Sequence, residues 1–133
     1  MNSERKLILY ADDDADDREF LSSAIRQLSP TTDVILAENG VEAMDYLVSN
    51  SKYPLPCLIV LDLNMPLLDG RETYEKIQLH PELKGVPTIV FTSSLNPNDR
   101  MLFEGCGVEF ISKPDNLSYL NNVVHRMLER CYC

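Results

Sequence analysis

Short apolar runs alternate along this chain with stretches whose apolar residues recur every three or four positions. The runs, among them Leu7-Ile8-Leu9-Tyr10-Ala11, Cys57-Leu58-Ile59-Val60-Leu61 and Thr88-Ile89-Val90-Phe91, have the length and β-branched content of buried strands. They predict strands near 6–11, 32–37, 57–61, 86–91 and 107–111. The second, Thr32-Asp33-Val34-Ile35-Leu36-Ala37, is the least apolar and suits a sheet edge. Helical spacing is carried by Phe20, Leu21, Ala24, Ile25 and Leu28, and by Val41, Met44, Leu47 and Val48. Leu117, Leu120, Val124, Met127 and Leu128 predict a closing helix over about 115–130, and shorter helices are expected near 70–79 and 97–104. Breakers such as Ser29-Pro30, Asn39-Gly40, Asp69-Gly70 and Asn96-Pro97 separate the elements. Five βα units in succession predict an α/β domain, with a parallel sheet, helices on both faces and right-handed crossovers.

The strand ends carry the chemistry. The first run ends in Asp12-Asp13-Asp14, the third in Asp62, the fourth in Thr92-Ser93 and the fifth in Lys113-Pro114. In a parallel sheet these residues converge in one crevice at the carboxyl ends of the strands. Two carboxylates side by side repel unless a cation relieves them, and Mg²⁺ takes one or two carboxylates with waters and phosphate oxygens. Asp12 and Asp13 are therefore candidate metal ligands, with Asp62 and the backbone carbonyl of Asn64 completing the set. An Asp carboxylate can also accept a phosphoryl group as an acyl phosphate, and Asp62 is the candidate nucleophile. Thr92 could donate its hydroxyl to a phosphoryl oxygen, and Lys113 could neutralise the transferred group. Each residue also has a plainer reading. A strand-end Asp caps turns, a Thr is ordinary strand composition, and a strand-end Lys is a solvated charge. Asp14, Asp16 and Asp17 read as capping and favourable helix N-terminal charge.

Composition narrows the classes. With 133 residues the chain fits one domain and leaves no room for an output domain after the last helix. A formal charge of -9, with basic residues scattered and no run of three, argues against a nucleic-acid surface and for a protein or cation partner. No apolar stretch approaches the roughly 20 residues of a membrane span, and Met1-Asn2-Ser3-Glu4-Arg5-Lys6 is no signal peptide. Cys57, Cys106, Cys131 and Cys133 lack zinc-site spacing and read as free cytosolic thiols.

Taken together, these motifs resemble the receiver domain of two-component response regulators over essentially the whole chain. Asp12-Asp13 is similar to that family's metal-binding acids. Leu61-Asp62-Leu63-Asn64-Met65-Pro66-Leu67-Leu68-Asp69-Gly70 is similar to its phosphoacceptor motif, Thr92 to its switch hydroxyl, and Lys113-Pro114 to its lysine and cis-proline. The resemblance implies a flavodoxin-like doubly wound sheet of order 2-1-3-4-5 with five helices. It implies a single receiver over 1–133, cytoplasmic, that takes a phosphoryl group onto Asp62 from a sensor histidine kinase or a histidine phosphotransfer protein. Mg²⁺ would be the cofactor, with Mn²⁺ able to substitute, and any catalysis would be limited to self-catalysed phosphorylation and dephosphorylation. Output would be phosphorylation-dependent protein binding, with no nucleic-acid or membrane partner. Phe110 falls at the family's aromatic switch position, where it would follow Thr92 inward. It lacks the hydroxyl of the tyrosine often found there, and Asp115 stands where an apolar aromatic is common. On the last helix, Tyr119, Asn122 and Arg126 are candidate outer contacts.

Three rivals share parts of this pattern. An aspartyl-phosphate phosphatase needs a second acid two residues after the nucleophile, where this chain has Asn64. A flavodoxin-like cofactor binder needs a Ser/Thr/Gly-rich phosphate loop after the first strand, where aspartates would repel phosphate. A degenerate receiver acting as a constitutive interaction module would not need Asp62, Thr92 and Lys113 together.

Overall fold

Ten elements alternate along the chain in a computed structural model that describes residues 6–49 and 54–132. They run β1 (Lys6–Ala11), α1 (Ala15–Leu28), β2 (Thr32–Ala37), α2 (Gly40–Ser49), β3 (Leu58–Leu61), α3 (Gly70–Gln78), β4 (Thr88–Thr92), α4 (Pro97–Gly105), β5 (Glu109–Ser112) and α5 (Leu117–Tyr132). All strands pair in parallel, in the order β2-β1-β3-β4-β5. β2 is at an edge, as its sequence predicts, and β5 is at the other. The residues before Lys6, and Cys133, lie outside the described part, as does the side chain of Leu117.

Period-two alternation sorts the strand residues between two cores. Ile8, Tyr10, Leu58, Val60, Ile89 and Phe91 face α1 and α5 and meet Leu21, Ile25, Val124 and Met127. Leu9, Ala11, Ile59 and Leu61 face the other way and meet Ala43, Met44 and Leu47 of α2 and Ile77 of α3. A third cluster, Leu63, Val90, Phe103, Val108 and Phe110, seats α4. Every residue of β3 is buried. Burying such an aliphatic side chain contributes roughly 1.5–3 kcal/mol, so the strand leading to Asp62 is anchored along its whole length.

Local signals set the helix starts. Asp14 caps α1, accepting from the amides of Asp16 and Asp17 at 2.9 and 3.1 Å. Asp69 and Glu72 form a capping box on α3. Asn96 caps α4, with Pro97 in its first turn. Gly70 is forced by close approach, since a Cβ there would stand 2.3 Å from the Asp62 carbonyl oxygen.

Several expectations need correcting. The fifth strand starts at Glu109 rather than 107. Gly107, at φ 80°, and Val108 instead turn back to cap α4, their amides donating to the carbonyls of Glu104 and Phe103. Phe20 and Leu28 are 55% and 37% exposed, because the buried arc of α1 is narrower and rests on Leu21, Ala24 and Ile25. Val41 and Val48 are likewise exposed. The Lys113–Pro114 bond is trans, for no cis peptide bond occurs among the described residues. Trans is the lower isomer by about 0.5–1 kcal/mol even before proline, and Lys113 reaches its partners from it. Cys57 and Cys131 are not free thiols. They form a disulfide between the residue just before β3 and the last turn of α5. Helix packing brings together two residues 74 apart in sequence. Cys106 is free and exposed.

Candidate functional site

Asp12 follows β1 and Asp62 follows β3, adjacent strands whose connections leave the sheet in opposite directions. That reversal opens a crevice at the carboxyl end of an open α/β sheet, and both carboxylates stand in it, 0% and 5% exposed. Asp12 is engaged on both oxygens. Its Oδ2 accepts from the Tyr10 hydroxyl at 2.6 Å and from Lys113 Nζ at 2.7 Å, and its Oδ1 accepts from the Asp14 amide at 2.9 Å. Asp62 is only half committed. Its Oδ2 accepts from Lys113 Nζ at 3.2 Å, while its buried Oδ1 has no hydrogen-bond partner.

A buried carboxylate oxygen without a partner is costly, and its presence points to an ion or ligand that completes the site. Asp12, Asp13 and Asp62 each offer an oxygen, all within 4.8 Å of one another. The orphaned Oδ1 and this all-oxygen donor set fit a hard divalent cation of the Mg²⁺ or Mn²⁺ type. Asn64 lies at the exposed rim two residues beyond Asp62.

Lys113 enters from the end of β5, its amide held by the Thr92 carbonyl at 2.9 Å. Burial works against its charge. Hydrogen bonds to Asp12 and Asp17 and the field of Asp62 outweigh that effect and hold the ammonium above its ordinary range. Burial, reinforced by the charge of Asp12, pushes the Tyr10 phenol up, so Tyr10 stays a neutral donor to that carboxylate.

Thr92 ends β4, fully buried, and its hydroxyl oxygen accepts from the Ser94 amide at 3.2 Å. From Ser94 the contacts run outward. Its hydroxyl donates to Asp99 at 3.4 Å, and Asp99 receives a two-pronged pair from Arg71 at 2.9 and 2.6 Å. The Arg71 guanidinium holds the Asp99 carboxyl below the usual carboxylate range. This chain ties the first turn of α3 to α4 and the loop after Thr92.

Phe110 is only 6% exposed, packed against Phe103 with the Arg100 guanidinium 4.8 Å over its ring. Its ring occupies the inward position in this structure. Among the candidate outer contacts, Tyr119 is 61% exposed, whereas Arg126 is engaged within the chain, pairing with Glu109 alongside Arg130.

Two participants were missed by sequence reasoning. Its place in the first turn of α1 suits Asp17 to helix N-terminal charge, yet its Oδ2 takes Lys113 Nζ at 2.7 Å. Tyr10 belongs to the strand core by its ring, yet its hydroxyl reaches Asp12. A polar tip at the last-but-one position of a strand leading into acids was the available signal for Tyr10. For Asp17 there was none, because a first-turn acid looks the same whether or not a lysine comes to it.

With this geometry in view, the comparison with known proteins is decisive: residues 8–125 match the response regulator receiver domain. The chain belongs to that family. It is 32% identical to the response regulator Rcp1 of Synechocystis sp., over 90% of this chain and 84% of that protein. It is 31% identical to the sensor histidine kinase CheAY of Helicobacter pylori over 92% of this chain, but only 15% of the kinase. Among solved structures, the phosphorylated cyanobacterial phytochrome response regulator RcpA superposes with a TM-score of 0.84 at 33% identity, covering 94% of this chain and 92% of that one. The Mn²⁺-bound form of Rcp1 gives a TM-score of 0.80 at 32% identity, covering 92% and 91%. The flavodoxin-like receiver fold is thereby shown. No described helix is long and apolar enough to cross a membrane.

Proposed function

We propose that this chain is a single-domain response regulator that accepts a phosphoryl group on Asp62 and signals by binding other proteins. The observation that carries the reading is the asymmetry of Asp62: one carboxylate oxygen is held by Lys113 and the other is buried and unpaired. The likeness to Rcp1, and to a phosphorylated and a Mn²⁺-bound relative, supports it.

In the reaction, an Asp62 oxygen attacks the phosphorus of a phosphohistidine in line. The P–O bond forms as the P–N bond breaks, and the departing imidazole takes a proton from solvent. Lys113, already beside Asp62, stabilises the negative charge on the transferring oxygens. Asp12 holds Lys113 in the crevice through Oδ2. Asp13, Asp62 and the Asn64 carbonyl would hold Mg²⁺, or Mn²⁺ in its place, with Asp12 assisting. When bound, the metal supplies further neutralisation of phosphoryl charge. Thr92 would give up the Ser94 amide and turn its hydroxyl to a phosphoryl oxygen. Phe110 and α4 would then repack around the space it leaves, and Tyr119 and Asn122 of α5 would contribute to the altered surface. Loss of the phosphoryl group is hydrolysis of the acyl phosphate by water, and no other enzymatic activity is proposed.

The donor is a sensor histidine kinase or a histidine phosphotransfer protein, the target is a protein, and the setting is the cytoplasm. The acidic charge of -9 disfavours nucleic acid. Incubation with acetyl phosphate and Mg²⁺, followed by intact mass and borohydride trapping, is expected to show one phosphoryl group at Asp62. Label that persists in Asp62→Asn, or maps to Asp12 or Asp13, overturns the assignment.

A further inference from the structure

The Lys113 ammonium has three N–H donors and meets three carboxylates, but not evenly. Nζ stands 2.7 Å from Asp12 and 2.7 Å from Asp17, yet 3.2 Å from Asp62. The two short contacts are to Asp12, just after β1, and Asp17, in the first turn of α1, and the long one is to the acceptor. The three carboxylates also differ in what losing the lysine would cost them. Asp12 has no exposed side-chain surface, so stripping it of its counter-charge leaves a buried anion. Asp62 is the group being modified. The Asp17 side chain is 34% exposed, on a cavity of about 350 Å³ that it lines with Phe20, Lys113 and Pro114. Released, it is resolvated at once and remains in the first turn of α1, where helix polarity favours an anion.

We propose that Asp17 is a positioning residue for Lys113. It holds the ammonium on the α1 side of the crevice, and acceptance of a phosphoryl group requires Lys113 to exchange Asp17 for a phosphoryl oxygen. All three donors are already in use, so an incoming oxygen must displace one partner, and Asp17 is the partner that leaves most cheaply. Asp17 thus restrains phosphorylation and at the same time couples the acceptor to the start of α1. The inference rests on Asp62 being the acceptor.

The test compares wild type with Asp17→Asn, Asp17→Glu and, as a control for charge alone, Asp16→Asn. The ¹⁵Nζ resonance of Lys113 is recorded first, without any phosphodonor, and then with Mg²⁺ and beryllofluoride. In Asp17→Asn the resonance is expected to move toward its beryllofluoride-bound position. The acetyl phosphate labelling rate should rise by about fivefold, the scale of one half-exposed charge pair. Asp17→Glu should return both toward wild type, and Asp16→Asn should move neither. An unshifted Lys113 resonance in Asp17→Asn, or an equal rise in rate in Asp16→Asn, overturns the proposal. Because the resonance is read before any donor is added, it decides the role of Asp17 separately from whether Asp62 takes a phosphoryl group.

Discussion

At the carboxyl end of the sheet, Asp12, Asp62 and Thr92 are buried and Lys113 is nearly so, and one acceptor oxygen has no partner. At the amino end, Cys57 and Cys131 are joined covalently. Beside them Ser29, Thr32 and Tyr132 share neutral hydroxyl contacts at 2.6 and 2.7 Å. The same strands run through both ends, so the difference lies in the residues that leave them. One end keeps charges whose partners can be exchanged. The other closes α5 onto the sheet with a covalent bridge and neutral hydroxyl contacts, beside the rim pairs of Glu109 with Arg126 and Arg130. A switch needs both: groups that a phosphoryl oxygen can re-pair, and a frame that does not yield when they do.

The sharpest way to break that contrast is to open the closed end. A bridge spanning 74 residues removes loop entropy from the unfolded chain worth about 4 kcal/mol. Cys57→Ser, Cys131→Ser and the thiol-reduced wild type should each lose stability on that scale in urea melts, yet label at Asp62 as before. Non-reducing peptide mapping that finds both cysteines alkylated in oxidised protein would contradict the bridge.

A smaller effect is expected from the Arg71–Asp99 pair, which lies on the reactive side but is structural. Arg71→Ala or Asp99→Asn should cost about 1–2 kcal/mol, as for a charge-assisted, partly buried contact. Because Arg71 depresses the Asp99 carboxyl, the folded form holds its proton less tightly than the unfolded chain. That contribution is present above the ordinary value of 3.8 and fades as pH falls through the lower folded value. Asp99→Asn should therefore flatten the part of the acid-unfolding curve lying below about that pH. A curve of unchanged slope would show that the pair adds nothing.

Smallest in stability is Thr92→Ala, at about 1 kcal/mol for the loss of one neutral hydrogen-bonding hydroxyl. Stoichiometric labelling of Asp62 should survive, while the beryllofluoride-dependent change in partner binding or self-association should largely disappear. An equal response in both proteins would remove Thr92 as the coupling residue.

The alternation of strand and helix, the edge place of β2 and the four strand-end residues were legible because each is a local pattern or a motif at short spacing. What was not legible depends on distance in sequence. The Cys57–Cys131 bridge, the reach of Lys113 to Asp17 and the Arg71–Asp99 pair join residues 74, 96 and 28 apart, and no periodicity announces them. Phe20 is exposed for another reason. Apolar spacing marks a helix face, but it cannot say how wide an arc the sheet will cover. The cis Lys113–Pro114 bond came from family resemblance alone, and the trans turn found here still delivers the ammonium to Asp12 and Asp62.

The central claim is that the two ends answer a phosphoryl group differently, and chemical-shift mapping with Mg²⁺ and beryllofluoride tests it most directly. The account predicts large backbone shifts at residues 12–17, 62–64, 92–94 and 110–113, and near silence at 29–32, 57 and 131–132. Shifts of equal size at the two ends, or none around Asp62, would contradict it.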